Sequence, residues 1–279
     1  MKFRLLAGAA GIAAAFLAVA TPAMAQEETP KELTVTGTVG LVTDYRFRGV
    51  SQSDKELAVQ GGLTVTHSSG FYVGTWGSNL AGWGTFGGSN TELDLIGGYS
   101  REIASGVTLD VGLTWYMYPG GYSKTDFAEP YVKVSSTVGP AKVLIGVAYA
   151  PAQQALGKWC SDAACTVYDP GDKEDNLYVW GDVSSGVPNT PVSLKAHLGY
   201  SSGNSGLGPN GTSVAPTGSY LDWMLGADLA LGPVTLGVSY VDTDISNSES
   251  AYLKPNFSST KDGSSIAGST VLFSISAGF

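Results

Sequence analysis

The amino-acid sequence predicts an all-β fold: an antiparallel up-and-down transmembrane β-barrel of about 12 strands, with short periplasmic turns and long extracellular loops. Three observations predict this class. Apolar residues alternate with small or polar residues in many segments, which is typical of strands whose two faces meet different surroundings. The connections between these segments alternate between long and short, as in outer-membrane barrels. The chain also ends inside an alternating segment, on Phe279.

The N-terminal region has the features of a bacterial export signal. Two basic residues precede an apolar run over residues 5–20, and a small-x-small cleavage motif ends at Ala25. We therefore expect a signal peptide, residues 1–25, to be cleaved, leaving residues 26–279 as a single outer-membrane barrel domain. A retained membrane anchor is the alternative, but the apolar run is short for a spanning helix.

The composition excludes several classes of protein. The chain has 15 basic and 24 acidic residues, and loss of residues 1–25 changes the net charge from −9 to −11. An exported acidic chain is a poor partner for nucleic acid, because it offers no basic surface to phosphates. Apolar residues make up 43% of the chain and recur regularly, which argues against disorder despite 38 glycines.

The strands follow from period-two alternation along the chain. In the first, Leu33, Val35 and Val39 share one face, and Thr34 and Thr36 share the other. Clean alternation covers residues 33–47, 58–66, 92–99, 107–118, 142–149, 192–200, 222–229, 234–240 and 269–279. Less regular alternation covers residues 70–78, 127–135 and 176–183. Together these segments make about 12 strands, an even number within the range of outer-membrane barrels.

The connections distinguish a barrel from a soluble sandwich. Gly, Pro or Asn marks nearly every tight turn, as hairpins require. The short connections are residues 67–70, 101–106, 138–140, 186–191 and 232–233, and the longer ones are 48–57, 79–90, 119–126, 151–175, 201–219 and 242–268. A sandwich needs no such order of loop lengths. Aromatic residues near strand ends also suit the membrane interfaces; these are Tyr45, Phe47, Trp115, Tyr149, Tyr200 and Tyr240.

The C-terminal segment has an apolar face that ends on an aromatic residue. Val271, Phe273, Ile275 and Phe279 share this face. We expect it to contact lipid while the last strand closes the sheet against the first, because an open edge in hydrocarbon leaves backbone groups unsatisfied. The terminal aromatic residue resembles the recognition signal of the bacterial barrel-assembly machinery. The expected surroundings are therefore outer-membrane lipid and lipopolysaccharide.

One stretch carries a resemblance to a known family. Residues 35–79 contain the run DYRFRG, from Asp44 to Gly49, followed by Ser51 and Gln52. This stretch resembles the N-terminal signature of the TorF family of porins, and further matches extend over most of the mature chain. The resemblance implies an outer-membrane barrel and a solute channel. It implies no particular substrate.

Charged residues with lumen-facing parity are the candidate pore lining. These are Asp44, Arg46, Arg48, Glu92, Asp94, Asp110, Glu129, Lys133, Lys195, Asp222 and Asp228. They could form a constriction that selects solutes by charge, or ion pairs that hold the wall together. Acidic residues outnumber basic ones, which favours cations. Many inward positions are small, so a thin channel is expected, narrowed by Tyr116, Tyr118, Tyr178 and Trp180.

The predicted function is a porin or channel for small hydrophilic solutes or ions. A non-conducting barrel that acts as an anchor or adhesin through its loops stays open as an alternative. An outer-membrane hydrolase is a third possibility, but His67 and His197 are the only histidines and neither lies in a nucleophile motif. No catalytic residue, metal site or cofactor is expected. Cys160 and Cys165 are expected to form a local disulfide in an exported loop.

Overall fold

The computed structural model describes residues 32–122 and 124–279, so the predicted signal peptide lies outside the described residues. The strands are β1 (Leu33–Val42), β2 (Arg46–Phe47), β3 (Val50–Ser51), β4 (Ala58–His67), β5 (Phe71–Asn79), β6 (Thr91–Ala104), β7 (Val107–Met117), β8 (Phe127–Val138), β9 (Ala141–Gln153), β10 (Glu174–Gly186), β11 (Val192–Gly203), β12 (Tyr220–Leu231), β13 (Val234–Thr243) and β14 (Thr270–Gly278). Short 3-10 helices lie in the loops at Gly82–Gly84, Phe86–Gly88, Gln154–Leu156, Pro209–Gly211 and Ala251–Leu253. Within the described ranges, no helix is long and apolar enough to cross a membrane.

The predicted barrel of about 12 strands is confirmed. Every strand except β2 and β3 pairs antiparallel with its neighbours in one closed sheet, and β1 pairs with both β4 and β14. The seam runs from Thr38 opposite Gly278 to Val42 opposite Ser274. Beyond it, the Phe279 N–H donates to the Gly37 carbonyl at 3.0 Å. The last strand therefore closes the barrel against the first and leaves no free edge.

The predicted alternation also holds around the wall. Outward side chains include Leu113, Leu225 and Phe273, which are large, apolar and exposed. Their inward neighbours, such as Thr114 and Met224, are buried. Because successive side chains of a strand point to opposite faces, the wall has an apolar outside and a mostly polar or small inside.

The predicted first strand, residues 33–47, is wrong at its C-terminal end. Strand β1 ends at Val42, and β2 and β3 form a separate two-stranded hairpin. The hairpin turn contains Arg48 and Gly49, whose φ angles are 48° and 79°. Positive φ at both central residues is the geometry of a tight two-residue hairpin turn, so the chain reverses instead of continuing along the wall.

The aromatic residues predicted for the membrane interfaces fall into two groups, one exposed on the outer face and one buried inside the barrel. Trp115, Tyr149, Tyr200 and Tyr240 are exposed on the outside of the barrel. Tyr45 and Phe47 precede the hairpin turn and are buried inside, so their predicted place at the membrane interface is wrong. Parity failed for these two residues because it assumes an uninterrupted strand.

Inward glycines make room for aromatic rings of neighbouring strands. Gly146 on β9 lies opposite Trp180 on β10, and a Cβ at Gly146 would lie 2.3 Å from that ring. The same arrangement places the Tyr72 ring against Gly98 and the Tyr131 ring against Gly112. Part of the space expected from small inward residues is therefore filled by rings that lie along the wall.

Substitution of Gly146 by alanine is expected to destabilise the barrel. The added methyl group would push the Trp180 ring towards the lumen, and overpacking of this kind costs about 1–3 kcal/mol. Gly181 on β10 is the matched control, since a Cβ there meets nothing nearer than the Leu144 carbonyl at 3.7 Å. Urea unfolding in lipid vesicles compares Gly146→Ala with Gly181→Ala. Equal midpoints for both variants would contradict the packing described here.

Candidate functional site

The hairpin β2–β3 lies across the lumen of the barrel. The hydroxyl of Tyr45, just before β2, donates to Glu92 on β6 at 3.1 Å. Arg48 in the hairpin turn reaches Glu129 on β8. Gly49, next to it, packs against Asp222 on β12. Because β6 and β12 lie on opposite sides of the closed sheet, a segment that touches both must lie inside the barrel.

Arg46 connects the hairpin to the loop between β13 and β14. Its Nε donates to Asp44 at 2.6 Å, and its Nη1 donates to the carbonyls of Gly49 and Ile266 at 2.9 and 2.8 Å. Asp44 also accepts hydrogen bonds from the hydroxyls of Ser51 and Ser53. The Nε and Nη1 donors face oxygen atoms, so this buried pair stabilises one arrangement of the hairpin and the loop.

Arg48 holds the hairpin against the barrel wall. It is 1% exposed, donates to Glu129 at 2.5 Å and to Asn176, and stacks on the Tyr178 ring with 4.2 Å from Cζ to the ring centroid. Burial by itself lowers the pKa of this guanidinium, but the Glu129 carboxylate raises it, and the net pKa lies above the ordinary value. The guanidinium of Arg48 therefore stays protonated inside the protein.

Further ion pairs lie on the periplasmic side of the hairpin. Lys133 on β8 contacts Asp110 on β7 at 2.8 Å, and the Tyr72 hydroxyl also donates to Asp110 at 2.6 Å. Lys195 on β11 contacts Asp228 on β12 at 2.8 Å. Each pair joins neighbouring strands, as expected of a cross-strand ladder.

His197 lies at the centre of a hydrogen-bonded network between β10, β11 and β12. Its Nδ1 contacts Asp182 at 2.7 Å, and its Nε2 contacts the Tyr178 hydroxyl at 2.9 Å and Asp222 at 3.2 Å. Both ring nitrogens are therefore engaged by strand side chains. Since Tyr178 also stacks under Arg48, the network is continuous with the hairpin contact.

Glu92 and Asp94 are the lumenal carboxylates without a basic partner among the described residues. Glu92 accepts the Tyr45 hydroxyl, whose pKa is raised first by burial and then by the Glu92 charge, so the phenol stays protonated. Asp94 is 1% exposed, and neither of its carboxylate oxygens has a hydrogen-bond partner. Two carboxyl groups without a basic partner thus lie on β6, directly under the hairpin.

The structure brings all the predicted lining residues into the lumen, but by two routes. The residues from Glu92 to Asp228 project from barrel strands, as parity predicts. Asp44, Arg46 and Arg48 are corrected: they belong to the inward segment around the hairpin, not to the first barrel strand. This difference follows from the Arg48–Gly49 turn.

Sequence reasoning missed the roles of Tyr45 and Asn176. Asn176 has inward parity two residues before Tyr178, and this spacing could have indicated it. Tyr45 could have been found only by recognising the hairpin turn after it. Cys160 and Cys165 are joined by a disulfide in the loop between β9 and β10, with an S–S distance of 2.01 Å. Among the residues that the structure describes, no group of three acidic, His or Cys side chains is placed to hold a metal ion.

Comparison with known proteins gives a family and a fold. A family model described as a bacterial protein of unknown function (Gcw_chp) matches residues 25–279. No curated protein sequence matches the chain. A crystal structure of the NanC porin is 11% identical, with a TM-score of 0.52, and the match covers 88% of this chain and 98% of that chain.

Two outer-membrane channels are also similar, at lower TM-scores. One, from Pseudomonas putida F1, is 10% identical with a TM-score of 0.42 over 91% of this chain and 100% of that chain. The other, DcaP of Acinetobacter baumannii, is 12% identical with a TM-score of 0.36 over 92% of this chain and 100% of that chain. The likeness in fold therefore rests on the NanC porin.

Proposed function

The chain belongs to the Gcw_chp family of bacterial proteins of unknown function, and we propose that it is an outer-membrane channel that passes small hydrophilic solutes or ions through a narrow lumen. The observation that carries this proposal is the row of ionised side chains inside a barrel with an apolar outside. Buried ion pairs add little stability compared with apolar packing, so a purely structural barrel has little use for them. A water-filled path for solutes does require charged and polar side chains on its lining.

The location follows from the outer surface. The exposed apolar band of side chains such as Leu113 and Leu225 needs a lipid environment. The Phe279 ring lies over Gly37 at the seam, which supports a role for this residue in closing the barrel during assembly. We propose the bacterial outer membrane, with lipopolysaccharide around the extracellular loops and the barrel-assembly machinery as the partner that inserts the chain. The DYRFRG motif supports the narrower TorF relationship.

The hairpin makes the path narrow. Tyr45, Phe47, Arg48 and Val50 are all buried among wall and loop side chains on the extracellular side of the lumen. Conduction in this proposal therefore passes beside the hairpin or needs it to move. Asp54 next to the hairpin accepts the Thr260 N–H at 3.0 Å, which ties the hairpin to the loop between β13 and β14.

The same packing favours a second candidate function, a non-conducting anchor. A lumen closed permanently by the hairpin would leave the extracellular loops as the functional surface. Recording from the purified protein in planar bilayers separates the two functions. Steady conductance steps support the channel. Absence of conductance in both the native chain and a variant with a released hairpin supports the anchor.

A catalytic role is not part of the proposal. A hydrolase needs a histidine nitrogen within reach of a nucleophile. Both nitrogens of His197 already contact Asp182, Asp222 or Tyr178. His67 is the last residue of β4, where its Nδ1 contacts the hydroxyl of Ser69 two residues away in the turn.

Ion selectivity is expected to shift in opposite directions when the Lys195–Asp228 pair is broken from each side. Lys195→Met leaves the Asp228 carboxylate uncompensated and is expected to raise the permeability of K⁺ relative to Cl⁻. Asp228→Asn leaves the Lys195 ammonium uncompensated and is expected to lower the same ratio. Reversal potentials in a KCl gradient measure both. Identical reversal potentials in the native chain and both variants would place this pair outside the conducting path.

A further inference from the structure

Asp94 is a buried carboxylate whose charge nothing in the described lumen compensates. Its two oxygens lack hydrogen-bond partners, and its side chain is almost fully buried. Burying an ionised carboxylate without a partner costs free energy of folding. A bound cation or a proton on the carboxylate removes that cost. Glu92, two residues earlier on the same face of β6, places a second carboxyl group close by.

The basic groups of the lumen are already engaged elsewhere. Arg46 binds Asp44, and Arg48 binds Glu129. Lys133 and Lys195 bind their own carboxylates on β7 and β12. Among the described residues, no basic side chain therefore contacts Asp94.

Aromatic residues flank Asp94 on both neighbouring strands. Trp76 on β5 and Tyr116 on β7 lie directly opposite it, and all three side chains face the lumen. Directly opposite residues in a sheet have Cβ atoms about 5 Å apart, so both rings lie beside the carboxyl group. Tyr116 also stacks on Phe127, with 4.5 Å between the ring centroids, so Trp76 offers the more open ring face. Tyr45 from the hairpin packs edge-on against Trp76, with 5.4 Å between the ring centroids.

A carboxylate between aromatic rings suits one class of ligand. The faces of Trp and Tyr rings attract cations that are weakly hydrated, and alkyl groups pack on the same faces. Divalent metal ions instead need several oxygen ligands. Trp76 is partly exposed, whereas Asp94 and Tyr116 are 1% and 2% exposed, so a ligand reaches the carboxylate past the Trp76 ring once the side chains that cover Asp94 shift.

We propose that Asp94, Trp76 and Tyr116 form a binding site for organic ammonium groups of the type R–NH₃⁺, with Glu92 as an additional negative charge. The ammonium group pairs with the free Asp94 oxygens, and the alkyl part lies against Trp76. This inference deepens the proposed channel function by naming primary amines as a solute class. Amines would accumulate at this site on the periplasmic side of the hairpin.

The experiment is ligand-observed binding, which does not depend on conduction. Saturation-transfer difference NMR follows n-butylammonium with the refolded mature chain in detergent micelles. Saturable transfer to the butyl protons is expected, and Asp94→Asn is expected to weaken the affinity at least tenfold. Trp76→Leu is also expected to weaken it, because the variant keeps the carboxylate but removes the larger ring. Glu102→Gln, which removes an exposed carboxylate at the other end of the same strand β6, is expected to retain binding.

Two results would overturn the site. Equal binding by the native chain and Asp94→Asn would mean that Asp94 binds no amine. Loss of the butylammonium signal in an equal concentration of KCl would assign the site to an inorganic cation. Asp94→Asn removes a buried carboxylate and is expected to fold. If the Asp94→Asn variant fails to fold, Trp76→Leu tests the site in its place. A chain that binds the amine but never conducts would disprove the channel alone, and a conducting chain without amine binding would disprove this site alone.

Discussion

Replacing Arg48 with alanine is expected to release the hairpin from the barrel wall and to widen the path through the lumen. The variant leaves Glu129 buried and charged without its partner, and breaking a buried ion pair in this way costs about 3–5 kcal/mol. It also removes the stacking on Tyr178 and the hydrogen bond to Asn176. Since Arg48 is the side chain that ties the hairpin turn to β8 and β10, the cost falls on the docking of the hairpin.

Planar-bilayer recording and hydrogen exchange of the hairpin amides measure this effect together. Larger conductance steps and faster exchange around Val50 are expected in Arg48→Ala. Lys55→Ala is the matched control, because Lys55 is an exposed basic residue close to the same hairpin and surface changes usually alter stability by less than about 0.5 kcal/mol. Adding Glu129→Gln should restore part of the lost protection. Native exchange rates in Arg48→Ala would show that the ion pair does not hold the hairpin.

Replacing Leu225 with arginine is expected to destabilise the folded barrel in lipid. Leu225 is 61% exposed on the outer face in the middle of β12. Arginine on the lipid face of a barrel costs about 2–4 kcal/mol at the bilayer midplane and about 0–1 kcal/mol near the interfaces. The expected loss therefore reflects the depth of this residue in the membrane.

The same strand provides the control. Leu231 ends β12 at the short-turn side, has the same outward parity and is 50% exposed. Leu231→Arg should therefore lose far less stability than Leu225→Arg. Denaturant unfolding in lipid vesicles, followed by tryptophan fluorescence, gives both free energies. Equal losses for the two variants, or full stability of Leu225→Arg without lipid or detergent, would contradict a membrane-spanning wall.

The lumen illustrates how far sequence parity reaches. The alternation of side chains placed residues such as Glu92, Asp110 and Asp228 on the inner face of the barrel, because each lies on an uninterrupted strand. Parity could not identify partners, since the pairing of Lys133 with Asp110 depends on the register between β7 and β8. It also could not show that aromatic rings fill the space beside inward glycines, which depends on side chains of the adjacent strand.

The sequence by itself determined the wall of this protein. Alternation and loop length are local properties, because successive side chains of a strand point to opposite faces and tight turns need particular residues. Only the tertiary structure decided what occupies the lumen. Arg48 meets Glu129 across 81 residues of chain, and Arg46 meets Ile266 across 220. Such contacts arise only after the barrel closes. The same is true of the burial of Asp94, whose carboxyl oxygens have no hydrogen-bond partner among the described residues.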